Sequence, residues 1–208
     1  GSICINGEII NDYSYSVNYG DIVIVDGIEV KPQIKRSTYI LHKPSGFVSS
    51  NHDMHNSKKI FDLIETDIRL FSIGRLDIDT TGIILITNDG DLSYKLSHPK
   101  FQIEKKYTVY TNKNVDEKMI DKFAAGLKIN NEFYKAKIKR VNYDKEFYIW
   151  DVVLNEGKNR EIKKIFKFLG APLFYLHRYC FAGLELDYLK EGESRLLSDI
   201  ETNKLYKL

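Results

Sequence analysis

Gly74-Arg75-Leu76-Asp77-Ile78-Asp79-Thr80-Thr81-Gly82 sets two carboxylates and an arginine in a glycine-bounded turn that runs into the apolar segment Ile83 to Thr87. Leu76 and Ile78 would partly desolvate Asp77, and Arg75 could hold a carboxylate ionised or engage an anionic ligand. Three uses stand open on residue types alone. Asp77 could be a catalytic carboxylate, or Asp77 and Asp79 could cap turns with Thr80 and Thr81. Asp77-Ile78-Asp79 could also be the Asp-x-Asp of a magnesium-dependent phosphotransferase, one carboxylate attacking while the metal neutralises charge. That last use fits less well, because such a nucleophile normally closes a hydrophobic strand that Gly74 and Arg75 interrupt here. No downstream lysine and acidic pair completes its set.

A second constellation is cationic. Arg160, Lys163, Lys164 and Lys167 recur at i, i+3, i+4 and i+7, a basic stripe beside the apolar stripe of Ile162, Ile165, Phe166 and Leu169. Lys158 and Arg160 stand at the start of that expected helix, where backbone N–H groups and the dipole favour phosphate. Cations there do not serve helix stability, so a polyanionic partner is inferred. Lys105 and Lys106 precede Tyr107, and Tyr134, Lys135, Lys137, Lys139 and Arg140 interleave along an expected strand. Cations among exposed rings suit backbone contact and base stacking in RNA or single strands. His42, His52, His55, His98 and His177 show no zinc-ligand spacing, and Cys180 reads as a buried structural thiol, so no metal site is expected.

The elements that must position these groups follow from composition and period. With 208 residues, 43% of them apolar, the chain can bury the core of one large domain plus a small appendage. A net charge of +2 establishes no nucleic-acid partner by itself. Cys4 and Cys180 suggest a reducing, cytoplasmic setting without a disulfide framework; apolar runs are strand-sized, and neither a membrane span nor a signal peptide is expected. Ile3 to Val30 reads as short strands closed by Asn6-Gly7 and Asp26-Gly27, too small to bury a core of its own. Residues 32–38 read as a linker, and 39–208 as the large domain.

Within that domain Ile83 to Thr87 suits a strand covered on both faces, followed by a helix through Leu96. Lys106 to Thr111, Tyr134 to Val141 and Phe147 to Leu154 read as strands. Asn114 to Glu117 has capping-box spacing before a helix carrying Met119, Ile120, Phe123 and Leu127; a second helix ends at Gly170, and Ser198 with Glu201 caps a last one. The expected class is α+β, a large mainly antiparallel sheet flanked by helices.

Four ordered motifs carry a resemblance: Leu41-His42-Lys43-Pro44-Ser45-Gly46; the turn from Gly74 to Gly82 running into Leu85 to Gly90; Glu104-Lys105-Lys106-Tyr107; and Glu156-Gly157-Lys158-Asn159-Arg160-Glu161-Ile162-Lys163-Lys164. Together they resemble the bacterial ribosomal RNA pseudouridine synthases of the ribosomal small-subunit type. The resemblance implies the pseudouridine synthase fold over 39–208, preceded at 1–31 by the strand-rich part of an αL-type RNA-binding module lacking its two helices. It implies site-specific isomerisation of uridine to pseudouridine in ribosomal RNA or a ribosome assembly intermediate, by a monomer with no metal or organic cofactor. Asp77 is implied as the essential aspartate, Tyr107 as the ring stacked on the flipped base, and Lys163 as the counter-charge of Asp77. Ile162 would pack against the uracil pocket, while Arg75, Lys43, Lys105, Lys158, Arg160, Lys164 and Lys167 would hold RNA. Asp79 is left as turn scaffold. The stretch Glu156 to Glu161 resembles the branch that modifies large-subunit RNA. Rival readings are a catalytically inactive RNA-binding ribosome-assembly protein and the magnesium-dependent phosphotransferase.

Overall fold

Asn6 and Gly7, like Asp26 and Gly27, take positive φ and close two tight hairpins. β1 (Ile3–Ile5), β2 (Glu8–Ile9), β3 (Val23–Val25) and β4 (Ile28–Val30) form a four-stranded antiparallel sheet in the order β2-β1-β3-β4. The computed structural model describes residues 1–12, 14–18, 20–30, 35–50 and 58–208, in two units, Gly1–Arg36 and Ser37–Leu208. His52 and His55 lie outside the described residues, as do residues 32–34 of the expected linker. Thr38, read as the linker's last residue, instead opens β5 (Thr38–Lys43), because its hydroxyl is buried against that of Thr87 at 2.9 Å.

The second unit is built on β7 (Thr81–Thr87), every residue of which is buried. Ile84 and Ile86 enter one core with Leu41, Val109, Trp150, Phe123, Ile165 and Phe166; Ile83 and Leu85 enter another with Ile40, Leu92, Leu96, Phe181 and Leu205. Burial on both faces is why this strand reads as a continuous apolar run rather than an alternation. Around it lie β6 (Phe71–Ile73), β8 (Lys105–Thr111), β11 (Lys137–Tyr143), β12 (Tyr148–Leu154), β13 (Leu173–Phe181), β14 (Leu184–Glu185) and β15 (Ser194–Leu196). The order is β11-β12-β8-β13-β7-β5-β15, with β6 added on β7 and β14 on β13. Among the described residues, only the β13–β7 pairing in this sheet is parallel, joining His177 to Thr81 and Arg178 to Gly82. β9 (Leu127–Ile129) and β10 (Glu132–Tyr134) form a separate hairpin.

The helices are α1 (Gly90–Ser97), α2 (Glu117–Ala125), α3 (Glu161–Phe168) and α4 (Asp199–Tyr206). Asp89 caps α1, and Ser198 with Glu201 forms the expected capping box of α4. Two expectations are corrected. The cap of α2 is Asp116, not Asn114, and Leu127 leaves the helix for β9, because Gly126 takes φ +108 and stops it. The strand expected over Tyr134 to Val141 is two strands, broken at Lys135 and Ala136.

Candidate active site

The acidic turn is latched from below. Lys43, fully buried at the end of β5, donates from Nζ to the carbonyls of Pro44 (3.0 Å), Ile78 (3.2 Å) and Thr80 (2.8 Å). Ser49 Oγ donates to the Leu76 carbonyl at 3.0 Å and accepts from its N–H at 3.2 Å, and Gly46 N–H donates to the Ile78 carbonyl at 2.8 Å. Lys43 is therefore not an RNA contact, as the sequence suggested; it is spent on shaping the backbone around Asp77. Burial pulls its pKa down to about 8, against the pull of the Asp79 and Asp77 charges that favour the ammonium.

The turn enters β7 at Gly82, whose φ is +113. A Cβ there would lie 2.2 Å from the Arg178 carbonyl oxygen, so only glycine lets β7 and β13 approach at this point. From α3, 84 residues away in sequence from Asp79, Lys163 reaches back across the turn. Its Nζ is 2.7 Å from Asp77 Oδ2 and 2.5 Å from Asp79 Oδ1. Asp79 is thus more than turn scaffold: it is the second carboxylate on the same ammonium. Partial burial raises its pKa, but the hydrogen bond and charge of Lys163 outweigh that and leave it lowered. The cation that Asp77 and Asp79 face together is the protein's own. Among the described residues no three His, Cys, Asp or Glu side chains converge as a metal would need.

Asp77 opens into a cavity of about 160 Å³. Tyr107 of β8, 7% exposed, and Ile162 of α3, 4% exposed, line it with Lys163, so the three groups assigned to the site meet the uracil-pocket residue in one place. The cations divide. Arg75 and Arg160 line the cavity while open to solvent, and Lys167 is exposed further along α3. Lys105 lines the cavity from within: its ammonium donates to the Ile103 carbonyl at 2.8 Å, and burial first, then the charge of Arg178, pulls its pKa down to about 8. Lys158 is held by Glu156 at 2.9 Å and by the Phe133 carbonyl, and Lys164 by Glu132 at 2.9 Å. Tyr134, expected as an exposed ring, is 1% exposed beneath these lysines, its hydroxyl donating to Glu132. Around Tyr134 the surface is therefore internally paired rather than a stacking platform.

Sequence reasoning missed two buried groups in the cavity wall. Arg178, 2% exposed, donates from Nε to the Ile83 carbonyl at 2.8 Å and lies over the Phe181 ring, while its Nη2 has no partner among the described residues. Glu161, 3% exposed, accepts the Lys158 N–H with Oε2 and leaves Oε1 without one; burial raises its pKa. Glu161 stood inside a quoted motif, and Arg178 sits at an inward position of an alternating strand, but neither position advertises chemistry until the sheet closes.

Residues 37–168 match the family described as RNA pseudouridylate synthase. The ribosomal large subunit pseudouridine synthase B of Bacillus subtilis (strain 168) is 30% identical over 212 residues, covering 100% of this chain and 86% of that one. The ribosomal small subunit pseudouridine synthase A of Vibrio parahaemolyticus serotype O3:K6 (strain RIMD 2210633) is 34% identical over 212 residues, covering 99% and 89%. Among solved structures, a crystal structure of a pseudouridylate synthase superposes with a TM-score of 0.76 at 31% identity, covering 98% of this chain and 88% of that one. An archaeal box H/ACA ribonucleoprotein complex shares the fold at a TM-score of 0.51 and 20% identity over 73% of this chain and 49% of that one.

Proposed function

This chain belongs to the RNA pseudouridylate synthase family, and we propose that it converts uridine to pseudouridine in ribosomal RNA with Asp77 as the group that acts on the ribose. The reaction breaks the bond between uracil N1 and ribose C1′, turns the base, and joins uracil C5 to the same C1′; N1 gains a proton and C5 loses one. Product and substrate are isomers, so the balance calls for no oxidant, reductant or donor. What the protein must supply is a positioned anion, a controlled counter-charge, and a surface that holds the base while it is detached. Asp77 beside Lys163 supports the first two and Tyr107 with Ile162 the third. The observation that carries the reading is the 2.7 Å contact between Lys163 and Asp77 in the cavity that Tyr107 lines.

Arg75 stands at the mouth of that cavity, where a cation would occupy the gap left by an extruded base. Large-subunit RNA is proposed as the substrate, on the resemblance of Glu156 to Glu161 to that branch. Action as a monomer in a cytoplasmic setting is part of the same reading, the latter supported by the two unpaired cysteines.

The test is chemical mapping of pseudouridine in unmodified large- and small-subunit RNA, supplied separately. Wild-type protein forms pseudouridine in large-subunit RNA, and Asp77→Asn lowers the rate by on the order of 10³ or more while RNA affinity is retained. Equal product from both proteins removes Asp77 from its role; product in small-subunit RNA alone overturns the choice of substrate.

A further inference from the structure

Next to the catalytic cavity lies a second, wider groove of about 610 Å³, which shares Arg160, Lys163 and Leu176 with it. Its other walls are the basic stripe of α3, through Lys164 and Lys167, and the start of β13, through Phe174 and Tyr175. Two features mark it as more than a crease between a helix and a strand. Arg160 and Lys167 are exposed and make no salt bridge among the described residues, although the charge of Arg160 reaches Asp79, which also lines the groove, whereas the neighbouring Lys163 and Lys164 are each paired with a carboxylate. Phe174 is 72% exposed, yet its ring is held in place by stacking on Phe147, centroids 4.4 Å apart and planes 24° from parallel. One face of the ring is thereby fixed, and Phe174 lines the groove.

Unbridged cations on one wall and a braced aromatic ring on the other are complementary to one ligand class, a nucleotide with its phosphate. We propose that this groove is the subsite for the single-stranded nucleotide adjoining the target uridine, its base stacked on Phe174 and its phosphate on Arg160 and Lys167. The inference rests on the pseudouridine synthase reading: with the uridine in the first cavity, a strand leaving past Arg160 and Lys163 enters the second. Pre-packing of the ring by Phe147 means that stacking immobilises little that is still free. Salt affects the two contacts differently, since phosphate contacts release counterions and ring stacking does not.

The experiment uses the full chain and two readouts: fluorescence anisotropy with a fluorescein-labelled uridine decanucleotide across a salt series, and kcat and KM for pseudouridine formation in ribosomal RNA. Phe174→Ala weakens the oligonucleotide and raises KM by about 5- to 150-fold, the equivalent of one lost base stack, with kcat and the salt slope unchanged. Phe174→Tyr restores both, which a merely misfolded surface would not do. Lys167→Gln lowers the salt slope by about 0.7. Binding and KM of Phe174→Ala within twofold of wild type overturn the subsite, as does a loss confined to kcat. If Phe174→Ala is unchanged on naked RNA but impaired on assembling subunits, the groove docks a protein and the proposal falls. Wild-type protein that makes no pseudouridine counts against the function itself, and the anisotropy arm still decides the groove.

Discussion

One ammonium serves two carboxylates in the candidate site, and their exposures separate their roles. The Lys163 side chain is 14% exposed and that of Asp77 32%, while that of Asp79 is 63% exposed. Removing a partner from a buried pair leaves an uncompensated charge, but a contact to a well-solvated carboxylate contributes little. Lys163→Met should therefore lower kcat by about 10²-fold, equivalent to roughly 3 kcal/mol of transition-state stabilisation, and Lys163→Arg should restore most of it. Asp79→Asn should change kcat by less than about tenfold, because Lys163 keeps its contact with Asp77. Single-turnover kinetics on saturating RNA checks all three, and a larger loss from Asp79→Asn than from Lys163→Met would reverse the assignment. At this scale the sequence was legible in placement: Asp77, singled out by its motif, lies in the cavity beside Lys163. It misled at Lys43, because a charged residue beside Pro44 looks like surface until β7 is laid over it. Desolvation is a property of the closed sheet, not of the residue type.

At the scale of elements, the site depends on β7 and β13 meeting in parallel where the turn ends. Gly82 takes φ +113, and an added Cβ would meet the carbonyl oxygen, nitrogen and carbonyl carbon of Arg178 at 2.2, 2.6 and 2.8 Å. Backbone cannot yield as a flexible side chain would, so Gly82→Ala must spread the two strands, moving the turn of Asp77 that leads into one and the Arg178 wall on the other. It should cost about 3 kcal/mol or more of stability and most of the activity, read by urea unfolding and by pseudouridine mapping. A variant as stable and as active as wild type would show that the approach is not needed. The period of Ile162, Ile165 and Phe166, and the Ser198–Glu201 box, foretold α3 and α4, because local chemistry decides a helix and its caps. The break between β10 and β11 could not be read, since it depends on the pairing of Tyr134 with Leu127, a contact that no local period encodes.

On the scale of the whole molecule, the α+β class and the mainly antiparallel sheet follow from the succession of elements, whereas the groove of Phe174 required the register that brings Leu173 opposite Thr111 and seats Phe147 against it. The same assembly half-buries His177, whose Nδ1 lies 2.8 Å from Thr81 Oγ1 and 3.3 Å from the Tyr175 hydroxyl, with the His42 ring edge-on at 5.4 Å. Burial, and secondarily the charge of His42, holds the His177 pKa down to about 4 from an ordinary 6.5. Between those values the unfolded chain binds a proton that the folded chain does not, so stability falls as pH is lowered from 6.5 towards 4. Glu201, brought down to about 2 mainly by Arg195, adds a loss of the same sign at lower pH, and Glu161, raised by burial, opposes it. Comparison with His177→Asn cancels both. The variant should be the less stable protein at pH 7, for loss of the Thr81 hydrogen bond, but its unfolding free energy should fall by roughly 2–3 kcal/mol less than that of wild type between pH 7 and pH 4. Urea titrations of both proteins at the two pH values measure that difference directly, and parallel losses would mean that His177 takes up its proton in the folded state as readily as in the unfolded one.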